Sequence, residues 1–130
     1  MARSLFLCSV LALVLLASGC GGVQTAEVHG TVTYDGKPLP KGTIAFVTEG
    51  KAPEVLDISN GAFSGPITVG KKKIVINAYK QGPPVPEDTP GAGEVQLENY
   101  IPAAYNANSK ITKEVTAAGP NDFKFEIPKE

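Results

Sequence analysis

The chain has 130 residues, with 12 Lys and Arg, 13 Asp and Glu, one His, two Cys and no Trp. Arg3 is the only arginine, so beyond the first residues 11 lysines face 13 carboxylates, a formal charge of −2. That balance excludes the cationic surface nucleic acids demand, and no nucleic-acid partner is predicted.

In chain order the first element is the apolar run Leu5–Ala17, preceded by Arg3 and followed by Ser18-Gly19-Cys20. A basic start, a short apolar stretch and small residues at its end make a secretory signal. The run is 13 residues long, whereas a spanning helix needs about 20. The arrangement resembles a bacterial lipoprotein signal. That resemblance implies a signal peptide over 1–19 and lipidation of Cys20, by acyl chains of the palmitate type. Each buried CH₂ contributes about 0.8 kcal/mol, and two or more chains give lasting attachment. Gly21 stands where an inner-membrane retention signal often carries Asp, so the resemblance favours the outer membrane, with the domain in the periplasm or outside the cell. A plain secretory signal and an uncleaved anchor are the alternatives.

Cys8 lies inside the apolar run and leaves with it. The folded part then has no cysteine and no internal disulfide, so it must rely on its core. Residues 20–26 make a lipidated cysteine and a short tether. Six flexible residues, Gly21 to Ala26, reach about 13 Å, which keeps the domain close to the membrane. The remaining 104 residues, 27–130, suit one domain.

Period-two alternation dominates that domain. Val28, Gly30, Val32 and Tyr34 share one face, with His29, Thr31 and Thr33 opposite. Thr43 to Glu49 is a β-branched and aromatic run. Val55 to Ile58 and Ala62 to Ser64 are weaker strands. Ile74, Ile76 and Ala78 share a face, with Lys73, Asn77 and Tyr79 opposite. Ile111 to Ala117 is another strand, although Lys113 falls on the parity of Ile111 and Val115. Phe123, Phe125 and Ile127 alternate with charged residues. Asp35-Gly36 and Asn60-Gly61 are hairpin dipeptides. Strands at this spacing, without a long helical pattern, predict an antiparallel sandwich, with the last two strands pairing across Gly119-Pro120-Asn121. Gln81 to Ser109 is rich in Pro and Gly and long for a connection. A short strand is expected at Gly93–Leu97 and a turn of helix within Asn99–Asn108. The segment reads as a crossover or as a partner-binding loop.

The stretch from Val28 to Phe46, with its Gly-x-Val strand and Asp35-Gly36-Lys37-Pro38-Leu39-Pro40 turn, resembles the start of a carboxypeptidase regulatory-like domain. Asn60-Gly61-Ala62-Phe63 and Gly70 before Ile74-Val75-Ile76 extend the likeness to Tyr79. The family is transthyretin-like (prealbumin-like), so the resemblance implies an all-β fold, a seven-stranded antiparallel Greek-key β-sandwich with Ig-like architecture. The matched residues make turns and core, and such domains act as structural or binding modules.

Catalysis is not predicted. His29 is the sole histidine, its parity points it to solvent, and no Gly-x-Ser-x-Gly nucleophile motif occurs. The histidine set and C-terminal Tyr-Arg-Gly-Ser motif of transthyretin-like hydrolases are missing too. Gly65 to Lys71 has Gly-x₄-Gly-Lys spacing, but Lys72 replaces the Ser or Thr of a phosphate loop and a strand follows where a helix is required. One His and no Cys in the folded part leave no zinc set. Glu87, Asp88, Glu94 and Glu98 lack the spacing of a calcium loop. No metal or cofactor is therefore expected. Lys71-Lys72-Lys73 is weighed as a contact to anionic headgroups, though alternation splits the three between faces. Tyr79, Tyr100 and Tyr105 suggest an aromatic platform for glycan. The expected role is a noncatalytic structural or protein-interaction module bound to the membrane through Cys20, with an envelope protein as partner. The alternative is a small-molecule or glycan receptor using the loop 81–109, with Tyr100 and Tyr105 as the partner-binding residues.

Overall fold

The computed structural model describes residues 22–130, so the predicted signal peptide over 1–19 and the predicted lipidation site Cys20 lie outside the described residues. No helix among the described residues is long and apolar enough to cross a membrane.

The alternating segments form strands. In chain order they are β1 (Thr25–Tyr34), β2 (Lys37–Pro38), β3 (Lys41–Val47), β4 (Glu54–Ser59), β5 (Ala62–Thr68), β6 (Gly70–Asn77), β7 (Tyr79–Gln81), β8 (Leu97–Asn99), β9 (Thr112–Val115) and β10 (Asp122–Ile127). One 3-10 turn, Ala103–Tyr105, supplies the expected turn of helix. The main sheet has eight strands in the order β10-β1-β5-β4-β3-β6-β9, with β2 attached to β1. β7 and β8 form a separate two-stranded ribbon. The short strand expected at Gly93–Leu97 lies at Leu97–Asn99 instead, where pairing with β7 holds it.

Both dipeptide turns form as expected. Asp35 and Gly36 have φ of 52° and 75°, and Asn60 and Gly61 have 51° and 76°. Two successive positive φ values match the type I′ turn, whose twist suits a hairpin. The hairpins lock together through Val32 N–H to the Gly61 carbonyl (2.7 Å) and Gly61 N–H to the Leu39 carbonyl (2.7 Å). β5 runs further than Ala62 to Ser64. Gly65 and Pro66 obscure it in the sequence, yet Pro66 pairs with Glu27 of β1. β4 meets β5 at a single pair, Ser59 with Ala62. Past that point β5 is an edge on its β4 side, where a proline without an N–H is tolerated.

The sheet curls so that its two halves meet. Phe46 of β3 lies 6.2 Å from Phe63 of β5 and 6.4 Å from Phe123 of β10, ring centre to ring centre, and Phe63 lies 6.3 Å from Phe125. Val28, Val32, Ile44, Ile74, Ile76 and Val115 are fully buried beside them. Gly30 has to be small, because a Cβ there would strike the Phe123 carbonyl and sit 2.6 Å from Phe63 Cζ. Lys113 shows why its parity looked wrong for a core position. Its side chain is half-buried, and its ammonium lies over the Phe125 ring, 5.7 Å from the centre.

One expected pairing is corrected. β9 and β10 do not form a hairpin: β9 pairs antiparallel with β6, and β10 pairs in parallel with β1. The cause lies in the connection. The Asn121 amide accepts from Thr116 N–H (2.8 Å) and donates to the Thr116 carbonyl (2.9 Å) and the Glu27 carbonyl (3.4 Å). These bonds carry the chain across from one half of the curled sheet to the other. Val115 and Phe125 then reach the same core from opposite sides.

Candidate functional site

The pairings give the sheet two distinct ends. Thr25 lies beside Thr68, and Gly70 beside Val115, at the end where β1 begins. Lys41 lies beside Ser59, Thr43 beside Asn77, and Tyr34 beside Ile127 at the other end. β1 spans the two with 10 residues, about 30 Å of strand.

At the far end a cleft of about 430 Å³ is lined by Tyr34, Pro40, Lys41, Tyr79, Lys80, Tyr100 and Lys129. Each comes from a strand end. Tyr34 closes β1, and the following Asp35 N–H bonds the Ile127 carbonyl at 2.9 Å, which brings the Lys129 segment alongside. Lys41 opens β3. Tyr79 and Lys80 begin the ribbon, and Tyr100 follows it. Asn99 ties that ribbon to the sheet: its carbonyl oxygen accepts from Ala78 N–H (3.3 Å) and Ile101 N–H (3.1 Å), and its amide donates to Asn77 Oδ1 (2.8 Å). Tyr100 N–H bonds the Ala78 carbonyl at 3.1 Å.

Tyr34 and Tyr100 meet edge to face, centres 5.2 Å apart at 77°, the arrangement favoured by the ring quadrupoles. Burial, with the Tyr34 hydroxyl beside it, pushes the Tyr100 phenol up from its ordinary value. It therefore remains a neutral hydrogen-bond donor. Tyr79 is 57% exposed. A neighbouring hollow of about 300 Å³ shares Lys41 and Tyr79 and adds Thr43, Asp57, Asn77 and Leu97.

Of the two tyrosines predicted to bind a partner, Tyr100 lies in the cleft and Tyr105 does not. The Tyr105 hydroxyl donates to the Glu126 carbonyl at 3.2 Å and ties the 3-10 turn to β10. Tyr34 takes the third aromatic place. Its parity with Val28 and Val32 had marked it as core, and only its position at the strand end opens it to the cleft.

His29, Asp122 and Ser64 lie abreast on β1, β10 and β5. His29 Nδ1 is 3.6 Å from Asp122 Oδ1, with the two side chains 53% and 71% exposed. Water surrounds this pair, so its electrostatics are weak, and the shallow hollow around it does not exclude solvent from Ser64. Gly65 to Lys71 passes from β5 into β6 with no helix. Among the described residues no three His, Cys, Asp or Glu side chains are grouped to hold a metal.

The lysine triplet splits as alternation requires. Lys71 and Lys73 are exposed at the Thr25 end, but Lys72 shares the inward parity of Ile74 and is 2% exposed. Its ammonium donates to Thr48 Oγ1 (2.7 Å), to Glu54 Oε2 (3.0 Å) and to Thr68 Oγ1. Thr68 donates to the same carboxylate from its N–H (2.9 Å) and its hydroxyl (2.7 Å). Burial pushes the Glu54 carboxyl up, but the bonds from Thr68 and Lys72 outweigh it and hold the group below its ordinary value. Compared with known proteins, the chain matches no family model, no curated protein and no solved structure.

Proposed function

We propose that the chain is a bacterial envelope lipoprotein whose 27–130 domain is a noncatalytic interaction module. In this reading residues 1–19 are removed, Cys20 is acylated and inserted in the membrane, and the domain works on the aqueous side, outer membrane favoured. The observation that carries the reading is the opposition of the two ends. β1 begins at Thr25 next to the tether, and the tyrosine and lysine cleft opens about 30 Å away at the other end of the strand. An anchor at one end and a recognition surface at the other suit a module that presents a binding face to solutes or neighbours.

The domain reads as a carboxypeptidase regulatory-like, Greek-key sandwich. In support, the seven strands of the main path divide at the single β4–β5 pair into a β10-β1-β5 leaf and a β4-β3-β6-β9 leaf. Phe46 and Phe63 meet across the space between them. The second reading, a small-molecule or glycan receptor, is favoured by the cleft itself, although the segment 81–109 supplies only Tyr100 to it.

The test is metabolic labelling with an alkyne fatty acid, followed by membrane fractionation. The expected result is a labelled protein in the membrane pellet, and an unlabelled, soluble Cys20→Ser chain. Wild-type protein that is soluble and carries no acyl label sinks the proposal.

A further inference from the structure

The cleft presents an unusual pairing of chemistries. Tyr34, Tyr79 and Tyr100 supply three aromatic rings, and Lys41, Lys80 and Lys129 supply three cations. None of these lysines takes part in the ion pairs found among the described residues, which are His29–Asp122, Lys72–Glu54 and Lys124–Glu126. Glu98 stands opposite Lys80 in the ribbon without forming one. The cleft lining itself contains no carboxylate.

Resting on the reading of this cleft as the interaction face, we propose that it binds an acidic saccharide, a pyranose ring bearing a carboxylate or a phosphate. The cleft volume of about 430 Å³ falls within the usual range for small-ligand sites, about 300–1,000 Å³. Tyrosine rings are amphipathic: their faces cover the C–H side of a sugar while their hydroxyls bond its oxygens. Tyr79, 57% exposed, is the stacking platform, and the Tyr34–Tyr100 pair forms the fixed wall. The Tyr100 phenol, kept protonated, donates to a sugar oxygen. The three ammonium groups meet the acid as mobile point charges, which suits carboxylate and phosphate alike. A phospholipid headgroup is the poorer match, because the cleft lies at the end away from the tether.

The test is calorimetric titration of the full-length protein, purified from membranes in mild detergent. The probes are a galacturonate oligomer with the matching neutral galactan oligomer, mannose 6-phosphate with mannose, and short-chain polyphosphate as a sugar-free anion. The expected result is that at least one acidic sugar binds ten times or more tightly than its neutral parent and than polyphosphate. Which of the two acidic sugars does so identifies the acid. Tyr79→Ala and Lys80→Gln, both exposed positions, should each weaken that sugar fivefold or more while leaving the melting temperature unchanged. Binding should also weaken as salt is raised. Equal binding of neutral and acidic sugars overturns the proposal, as does polyphosphate binding that equals the sugar's and ignores Tyr79→Ala. No heat with any probe up to millimolar concentration overturns it too, and leaves the acyl-labelling result for Cys20 standing on its own.

Discussion

Removing either partner of the buried Lys72–Glu54 pair leaves a very different remnant behind. Lys72 is 2% exposed and the Glu54 side chain 29%. In Glu54→Gln the ammonium stays buried with the Thr48 and Thr68 hydroxyls but no counter-charge. Stranding a buried charge in this way costs about 3–5 kcal/mol. In Lys72→Met the apolar stem is kept, and the side chain continues the inward row of Ile74 and Ile76. Glu54 then retains both bonds from Thr68 and its contact with water, so the loss is that of one charged hydrogen bond, about 1.5–3 kcal/mol at most. The double variant strands nothing and should recover most of the Glu54→Gln loss.

Urea titration reads these costs. For a small domain the slope is about 1–3 kcal/mol per molar. The midpoint should therefore fall by about 2 M for Glu54→Gln, by less for Lys72→Met, and least per substitution for the pair. Acidity adds a second check. The Glu54 carboxyl is held below its ordinary value, so its contribution is complete above that ordinary value and is lost as pH falls through the lower folded one. Glu54→Gln should remove this part of the acid sensitivity. Equal midpoints for the two single variants, or a larger loss from Lys72→Met, would refute the reasoning.

Three further substitutions probe the frame of the sheet. Gly30→Ala places a Cβ against the Phe123 carbonyl and should cost about 1–3 kcal/mol through forced separation of β1 and β10, read as a lowered melting temperature. Asn121→Ala removes the amide that bridges Thr116 and Glu27. It should cost about 1–3 kcal/mol by orphaning those groups, with amide exchange rising first in β9 and β10. Gly61→Ala meets a φ of 76° and Pro38 Cβ at 2.7 Å, and should lower the urea midpoint without changing the slope.

Local chemistry made much of this fold legible. Asp35-Gly36 and Asn60-Gly61 encode their turns because few other residues take two positive φ values in succession. Val28, Val32, Ile74 and Ile76 encode their face because the strand period is two. The β9–β10 connection was illegible for a physical reason. Gly119-Pro120-Asn121 has the composition of a hairpin turn, and only the long-range bond from Asn121 to Glu27 marks it as a crossover. Lys72 was readable in part. Its parity with Ile74 placed it inward, but its partners Thr48, Glu54 and Thr68 lie on three other stretches of chain, and no local pattern joins them. The cleft is the least legible feature, since Tyr34, Lys41, Tyr79, Tyr100 and Lys129 converge only when five separate strand ends are brought to one rim.

The two polar clusters sit at opposite ends of the same core and differ in how far the protein itself satisfies them. At the Thr25 end the ammonium of Lys72 is consumed: every donor direction has an oxygen within the protein, and Glu54 balances its charge. Such a site is closed to ligands and serves to join β4, β5 and β6 where β4 and β5 have already parted. At the other end Lys41, Lys80 and Lys129 stand outside any ion pair among the described residues, around three tyrosines on a rim where Asn99 ties the β7–β8 ribbon to the sheet and Tyr34 packs edge to face on Tyr100. Charges left unsatisfied by the protein, on a frame that is itself satisfied, keep their full capacity for an outside anion. A domain that needed those lysines only for solubility would gain nothing by gathering them around three rings.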